Sequence, residues 1–464
     1  MYFTYTNIIY FFLNYRDNQN NKIKYIYSNL MIKKHIAIIG AGTAGIASAI
    51  LLAKQNIQVS IFEKAENLDP VGAGLLLQPS GLAVFEHLGI LEHALQLGTI
   101  VTGLEGQLAN GQLLVNSHYK QANENFYGLG IHRASLCHVL ESKAREFPNH
   151  IHWYMGHDVH TLNENTDDIR IKGTSSNGKF EAAFDVVIVA NGARSSIRPE
   201  AWVKVNKPYP WGAKWIIVPE CQELNPQILH QFYDKAQTMM GIMPTGAIPH
   251  STNKLSSVFW SMPSEQLDSF LLDKASQQKW LHQVHQRWSK AAEWLETVLP
   301  EENNQEKWLS ANYRDVVMSK FGEGRIGVIG DAAHAMSPQL GQGANMALLD
   351  AWALGQSFQI ATQKDNLDLN ELWKSYHQHR QPSIRFYQFF SRLLTPLYQS
   401  HSKIAGPIRD LSFLSMYQIP YFHKEMAITI SGLKSNMLQT MNYADIAKPA
   451  KDHTDFALNT LKID

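Results

Sequence analysis

Cysteine is nearly absent from this 464-residue chain: Cys137 and Cys221 are the whole complement. Two thiols so far apart supply neither a disulfide framework nor the paired spacing of a thiolate metal centre, and they point to a reducing, cytoplasmic setting. Charge imbalance is missing as well, because 41 Lys and Arg balance 41 Asp and Glu. A net charge of zero exerts no general pull toward nucleic acid or anionic lipid. No apolar run approaches the roughly 18 residues that a transmembrane helix needs. Ile8-Ile9-Tyr10-Phe11-Phe12-Leu13 is too short, and no Lys or Arg precedes it, which argues against a secretory signal. Internal repeats and low-complexity linkers are also lacking. What is present is a globular composition, 45% apolar and 18% charged, with length for two or three domains.

Residues 1–30 are rich in Tyr, Asn and Ile and show no helical period. They read as an extension: an over-extended translation with Met31 as the biological start, or a flexible leader. An apolar strand at 35–39 then runs through Gly40-Ala41-Gly42-Thr43-Ala44-Gly45 into a helix with Ile46, Ile50 and Leu51 at core spacing. A second strand at 59–63, a glycine-rich loop at 70–78 and a helix from 80 to about 88 follow. A helix is expected at 133–145 and a buried strand at 184–190. Residues 205–310 change character, with aromatic-rich alternating strands at 211–218, 239–243 and 255–262, then a helix through Trp294. Helices dominate from 361 to 435, and 436–464 reads as a loosely held polar tail. The expected organisation is an α/β fold, with a Rossmann-type domain assembled from the discontinuous segments 31–204 and 311–360. An antiparallel-sheet substrate domain at 205–310 is inserted between them, and a helical region follows.

Three glycines set up the first chemistry. Gly40 permits the tight turn, Gly42 lets a pyrophosphate approach the backbone, and Gly45 lets helix pack on strand. Glu63 lies 21 residues after Gly42, at a strand tip, where it can accept from both ribose hydroxyls and disfavours a 2′-phosphate. That pattern fits NAD and FAD equally. A second constellation runs from Gly330 to Asn345 (Gly-Asp-Ala-Ala-His-Ala-Met-Ser-Pro-Gln-Leu-Gly-Gln-Gly-Ala-Asn). It carries a carboxylate at a strand tip, then a Pro and glycines that leave backbone N–H groups open at a helix start, where negative charge is favoured. His334 lies inside it and reads as support for the turn. No single residue stands out as a general base.

With the stretch from Gly330-Asp331 to Gly343, the chain resembles the FAD-dependent aromatic hydroxylases of the para-hydroxybenzoate hydroxylase superfamily, the salicylate hydroxylase-like and ubiquinone-biosynthesis branches in particular. The resemblance implies that Asp331 binds the ribityl chain. It implies also that Pro338, Gly341, Gly343 and Ala344 place amides at the flavin N1–C2=O edge. Gly128-Leu129-Gly130-Ile131-His132-Arg133 is similar to the segment whose arginine contacts the phosphate and ribityl region, which falls on Arg133. Asp185 to Arg198 resembles the second family motif, Asp-Gly-x-x-Ser-x-x-Arg, with Asn191 in place of its aspartate and Arg198 read as a structural tie. The loop of Gly72, Gly74 and Gln78 is similar to one beside the isoalloxazine. Further likeness at Tyr209-Pro210-Trp211-Gly212 and at 392–398 extends the match over about 32–435.

The cofactor set implied is therefore Gly40, Gly42, Ala44, Gly45, Glu63, Lys64, Gly74, Arg133, Gly192, Asp331, Pro338, Gly341, Gly343, Ala344 and Asn345, with no metal. The activity implied uses FAD, NADH or NADPH, and O₂ to hydroxylate an aromatic, phenolic small molecule through a flavin C4a-hydroperoxide. A homodimer stays open. Trp215, Phe232, Met243, Phe259 and Trp260 are candidates for the substrate wall. Alternatives are a non-oxygenating flavin oxidoreductase, an epoxidase or hydroxylase of a polyprenyl lipid, and a non-catalytic flavoprotein. A halogenase is disfavoured because no Trp-x-Trp-x-Ile-Pro segment occurs.

Overall fold

Strand β1 (His35–Ile39) is the axis on which the nucleotide-binding half is built. In the computed structural model, which describes residues 34–68, 72–270, 274–299, 308–363 and 366–449, it pairs in parallel with β2 (Gln58–Glu63) on one side and with Val186–Val189 on the other. The expected extension, Met31, the last part of the tail, and Pro70 and Val71 lie outside the described residues. The six-stranded sheet has the order Gly322–Glu323, Ile326–Val328, Val186–Val189, β1, β2, Ile151–Met155. All neighbours are parallel except the edge hairpin Gly322–Glu323/Ile326–Val328. Three distant segments thus share one sheet, as a discontinuous Rossmann-type domain requires.

Ile36, Ala37 and Ile38 are fully buried because helices pack on one sheet face and a three-stranded antiparallel sheet (Asp158–Glu164, Ile169–Ser175, Gly178–Phe184) packs on the other, where the Phe62 ring stacks on Phe180 at 5.7 Å. Burying each isoleucine contributes about 1.5–3 kcal/mol before conformational entropy is subtracted. Helix α1 (Thr43–Ala53) is buried from Ala44 to Ala53, and its small residues let the helix Gly343–Ala361 lie close. A Cβ on Gly355 would stand 3.2 Å from Leu51 Cβ, and Gln55 Nε2 donates to Gly355 O at 2.9 Å.

The second sheet has seven strands, in the order Leu309–Met318, Val203–Pro219, Leu255–Pro263, Thr238–Gly246, Ile228–Asp234, Gly103–Leu108, Leu113–His118. It is wider than the 205–310 stretch. Two strands come from residues 103–118, with Gly103–Leu108 joining Ile228–Asp234 in parallel, and the edge strand Leu309–Met318 reaches into the stretch expected to belong to the second Rossmann segment. The sequence pattern marks short strands around 101–115 but not their sheet, because the partner strand lies more than a hundred residues away. Period-two alternation then splits the sheet into two faces. Phe232 and Trp260 point away from the cofactor side and pack on Trp288 and Trp280, at ring-centroid distances of 5.4 and 5.7 Å. Those tryptophans belong to a break and to a helix in a helical pair, Lys274–His285 and Ser289–Val298, where one helix through Trp294 was expected.

Three helices, Leu369–Tyr398, Ala405–Met416 and Pro420–Ile430, close the structure as the C-terminal pattern predicts. The described part of the tail is not loose. Its short helix Tyr443–Ala447 docks on the helix Pro79–Leu88, with Ile446 and Ala447 buried and Tyr443 Oη donating to Glu86 Oε2 at 2.9 Å. Apolar residues inside a polar-looking stretch made that contact. Among the described residues no helix is long and apolar enough to cross a membrane, and no cluster of residues could hold a metal ion.

Candidate functional site

A cavity of about 780 Å³ runs from the tips of β1 and β2 to the inner face of the seven-stranded sheet. That volume falls in the upper part of the range of about 300–1,000 Å³ for small-molecule sites. Thirteen of the fifteen residues expected at the cofactor line it; Gly45 and Asn345 do not.

At the β1 end, Gly40 has φ +110°, and a Cβ there would come within 2.6 Å of Ala190 O. A Cβ on Gly45 would reach 2.0 Å from Gly40 O, so Gly45 serves helix–strand packing and not the cavity. Gly42 differs, because a Cβ there meets nothing within 4 Å and would protrude into open space. Glu63 ends β2, and its carboxylate is fixed by two backbone amides: Ala41 N donates to Oε2 at 2.9 Å and Ala65 N to Oε1 at 3.0 Å. Lys64 and Asn191 also line this end. Gly192 has φ +83°, a conformation that favours glycine.

Arg133 is the first residue of the helix Arg133–Ala144, capped by His132, whose Nδ1 accepts from Ala134 N at 3.1 Å. It lines the cavity, and a Cβ on Gly72 would stand 2.7 Å from its Cδ, so the glycine loop leaves room for the arginine. Gly74 has a different reason. A Cβ there would come 1.9 Å from Thr245 Cγ2, so this glycine lets its strand cross the large sheet closely.

Asp331 opens the short helix Asp331–His334 and faces the cavity. Gly330 before it has φ +60°, and Arg198 ties the turn to the preceding motif by donating to Ala332 O at 2.5 Å and Ala193 O at 2.6 Å. Arg198 is thus the structural tie that its sequence implied. Pro338, Gly341, Gly343 and Ala344 line the next turn, and a Cβ on Gly343 meets nothing within 4 Å. Asn345 spends its side chain inside the protein: Oδ1 accepts from Gln78 N at 2.8 Å, and Nδ2 donates to Leu76 O at 3.2 Å and Gly341 O at 3.1 Å. It braces the loop that bears on the cavity.

Behind this loop lies a buried cluster that no motif announced. Asp350 Oδ2 accepts from His334 Nε2 at 2.6 Å and Gly330 N at 2.7 Å, and Oδ1 accepts from Arg380 Nε at 2.7 Å. Burial pushes the Asp350 carboxyl upward, but His334 and Arg380 beside it hold it down at about 2. His334 therefore supports the turn. The available signal was a lone acid in the apolar helix Gly343–Ala361; its partner Arg380 sits 30 residues on and cannot be assigned from spacing.

The far end of the cavity is aromatic and aliphatic. Trp215, Met239, Met243 and Phe259 line it from the sheet, with the Trp215 and Phe259 rings 4.9 Å apart. Of the five proposed wall residues, Trp215, Met243 and Phe259 are on this face, while Phe232 and Trp260 are on the other. Adjacent aromatics such as Phe259 and Trp260 must separate in a strand, and composition alone does not say which faces inward.

The residues present fit a flavin nucleotide. Gly42 and Gly343 leave open space beside backbone amides, Glu63 offers a fixed acceptor, and Gln339 Nε2 and Gln342 Oε1 on the glycine turn lack hydrogen-bond partners among the described residues. A family profile described as FAD binding domain matches residues 33–387. The chain belongs to that family. It is an FAD-dependent monooxygenase of the aromatic hydroxylase superfamily. Among curated relatives, 2-heptyl-3-hydroxy-4(1H)-quinolone synthase of Pseudomonas aeruginosa is 24% identical over 76% of this chain and 86% of its own. The 3-hydroxybenzoate 6-hydroxylase of Klebsiella oxytoca is 23% identical over 69% of this chain and 78% of its own. The crystal structure of p-nitrophenol 4-monooxygenase PnpA from Pseudomonas putida DLL-E4 matches with a TM-score of 0.71 at 16% identity. It covers 87% of this chain and 99% of that one. At that identity it speaks for the fold.

Proposed function

We propose that this flavoenzyme hydroxylates an aromatic small molecule, with NADH or NADPH as reductant and O₂ as the oxygen source. The observation that carries this reading is the continuity of one cavity from the glycine fingerprint, past Asp331, to the Trp215–Phe259 wall. When bound, FAD accepts a hydride from the nicotinamide and activates O₂ for transfer of one oxygen atom.

The protein's part is binding, orientation and exclusion of water. Gly42 and the start of α1 accept the pyrophosphate, Glu63 the adenosine ribose, and Asp331 the ribityl hydroxyls. The amides around Gly341 to Ala344 sit at the start of the helix Gly343–Ala361, where the dipole favours the negative charge that reduced flavin carries. The apolar sheet face holds an aromatic ring against that edge and keeps it dry.

The test is consumption of NADH and NADPH by the FAD-loaded protein across a panel of phenols, anilines and hydroxylated heteroaromatics. A substrate should raise the rate and give hydroxylated product in proportion to O₂ consumed. Oxidation that every panel member leaves unchanged, with no oxygenated product, would sink the proposal.

A further inference from the structure

We propose that the substrate bound at this site is an electrically neutral aromatic ring carrying an O–H or N–H donor, with that donor received by Gln399 Oε1. This rests on the hydroxylase reading above and narrows its substrate class.

The cavity divides by charge according to which element supplies each wall. Its Lys and Arg lining residues stand on the nucleotide half: Lys64 at the tip of β2, Arg194 after Gly192, and Arg133 beside Gly72. The sheet side presents hydrocarbon, sulfur and aromatic surface from Leu229, Met239, Met243, Trp215 and Phe259. A neutral ring gains by leaving water for such a wall. A carboxylate placed against the same atoms loses hydration with no compensating charge, and buried charges are tolerated where they are paired.

The polar groups on this side are uncharged and differ in how fully they are used. Tyr119 Oη donates to Gln78 Oε1, and Tyr233 Oη donates to Gln231 Oε1. Burial pushes the Tyr313 phenol up to about 12, opposed by its hydrogen bond with Trp215, so it stays protonated at neutral pH. Gln399 is half used. Its Nε2 donates to Ser261 Oγ at 2.6 Å, which fixes the amide, while Oε1 is buried without a hydrogen-bond partner among the described residues. Ser261 lies two residues after Phe259 on the same strand, so it is on the cavity face, and Gln399 lines the cavity where the long helix Leu369–Tyr398 ends. An orphaned carbonyl oxygen at 5% residue exposure is costly unless a ligand supplies a donor. A site built to receive a donor also rejects a ligand that lacks one.

The experiment uses the FAD-loaded full chain and matched probes: 4-hydroxyquinoline against 4-hydroxyquinoline-2-carboxylate, 4-methylphenol against 4-hydroxybenzoate, and 4-methoxyquinoline as a probe without the donor. Affinity is read from tryptophan quenching and flavin absorbance, and turnover from NAD(P)H oxidation. The neutral member of each pair should bind at least about tenfold more tightly, and Gln399→Leu should remove about tenfold from 4-hydroxyquinoline while leaving 4-methoxyquinoline unchanged. Equal or tighter binding of the carboxylates, with accelerated NAD(P)H oxidation, overturns the inference and leaves the hydroxylase reading standing. Equal losses for both quinolines in Gln399→Leu overturn the role of Gln399. A flavin-loaded enzyme that neither binds nor responds to any of these rings, nor to the wider panel, overturns the hydroxylase reading and this inference with it.

Discussion

Replacing Asp350 by Asn isolates what the buried cluster behind the flavin turn contributes. The carboxylate receives three donors, Gly330 N and His334 Nε2 on one oxygen and Arg380 Nε on the other. Asparagine keeps one acceptor oxygen, so its amide must face at least one of those donors. The Arg380 guanidinium, 1% exposed, also loses its counter-charge. Breaking such a buried pair costs about 3–5 kcal/mol. The pH dependence adds a second, independent magnitude. Asp350 is held at about 2 against an ordinary 3.8, so its ionised form contributes about 2 kcal/mol that is present above pH ~4 and lost as pH falls toward 2. Urea unfolding followed by circular dichroism and flavin fluorescence should show a lower midpoint for Asp350→Asn at pH 7. The gap from wild type should narrow below pH ~4. FAD should be released together with the structural change, because Gly330 and Asp331 lose their anchor. A wild-type midpoint at pH 7, or a gap that stays constant on acidification, refutes the account.

Other substitutions separate the parts of the site. Asp331→Ala should weaken FAD binding by about 1.5–3 kcal/mol, or about 10- to 150-fold, measured by titrating apoprotein with FAD; full retention of affinity refutes the ribityl role. Gly42→Ala should unfold like wild type yet hold FAD more weakly, because its methyl enters open space where a phosphate belongs. Gly45→Ala should lower the unfolding midpoint itself, since its Cβ would meet Gly40 O at 2.0 Å; equal stability of the two alanine variants counts against this division. Phe232→Ala should cost about 3–5 kcal/mol through the cavity it leaves against Trp288, whereas Phe259→Ala should act mainly on ring binding in the quenching assay.

Much of the nucleotide half was legible because its demands are local. A strand must end, turn on Gly40 and start a helix within a few residues, and an acid must stand at the next strand tip, so Gly42 and Glu63 could be named from spacing. The same holds for Asp331 and the glycines that follow it, whose turn and helix start are contiguous in the chain. Arg133 was named through the resemblance carried by its segment, and the structure shows it lining the cavity at the start of its helix.

Contacts between distant segments are decided by packing, and there the sequence carried no local signal. It did not say that 103–118 completes the large sheet, nor that Tyr443–Ala447 covers a Rossmann-side helix. The pleat sent Phe259 into the cavity and Trp260 into the core, although both are large and aromatic. Asn345 looked like a cofactor contact by position in its motif, but the cross-chain approach of Gln78 and Leu76 claims its side chain. By itself the sequence marked a dinucleotide site, because such a site is written in short stretches whose backbone geometry is set by neighbouring residues, and the resemblance carried by those stretches implied FAD. Only the tertiary structure decided which side chains line the apolar end of the cavity, because that wall is assembled from strands and a helix end that meet through burial and strand register.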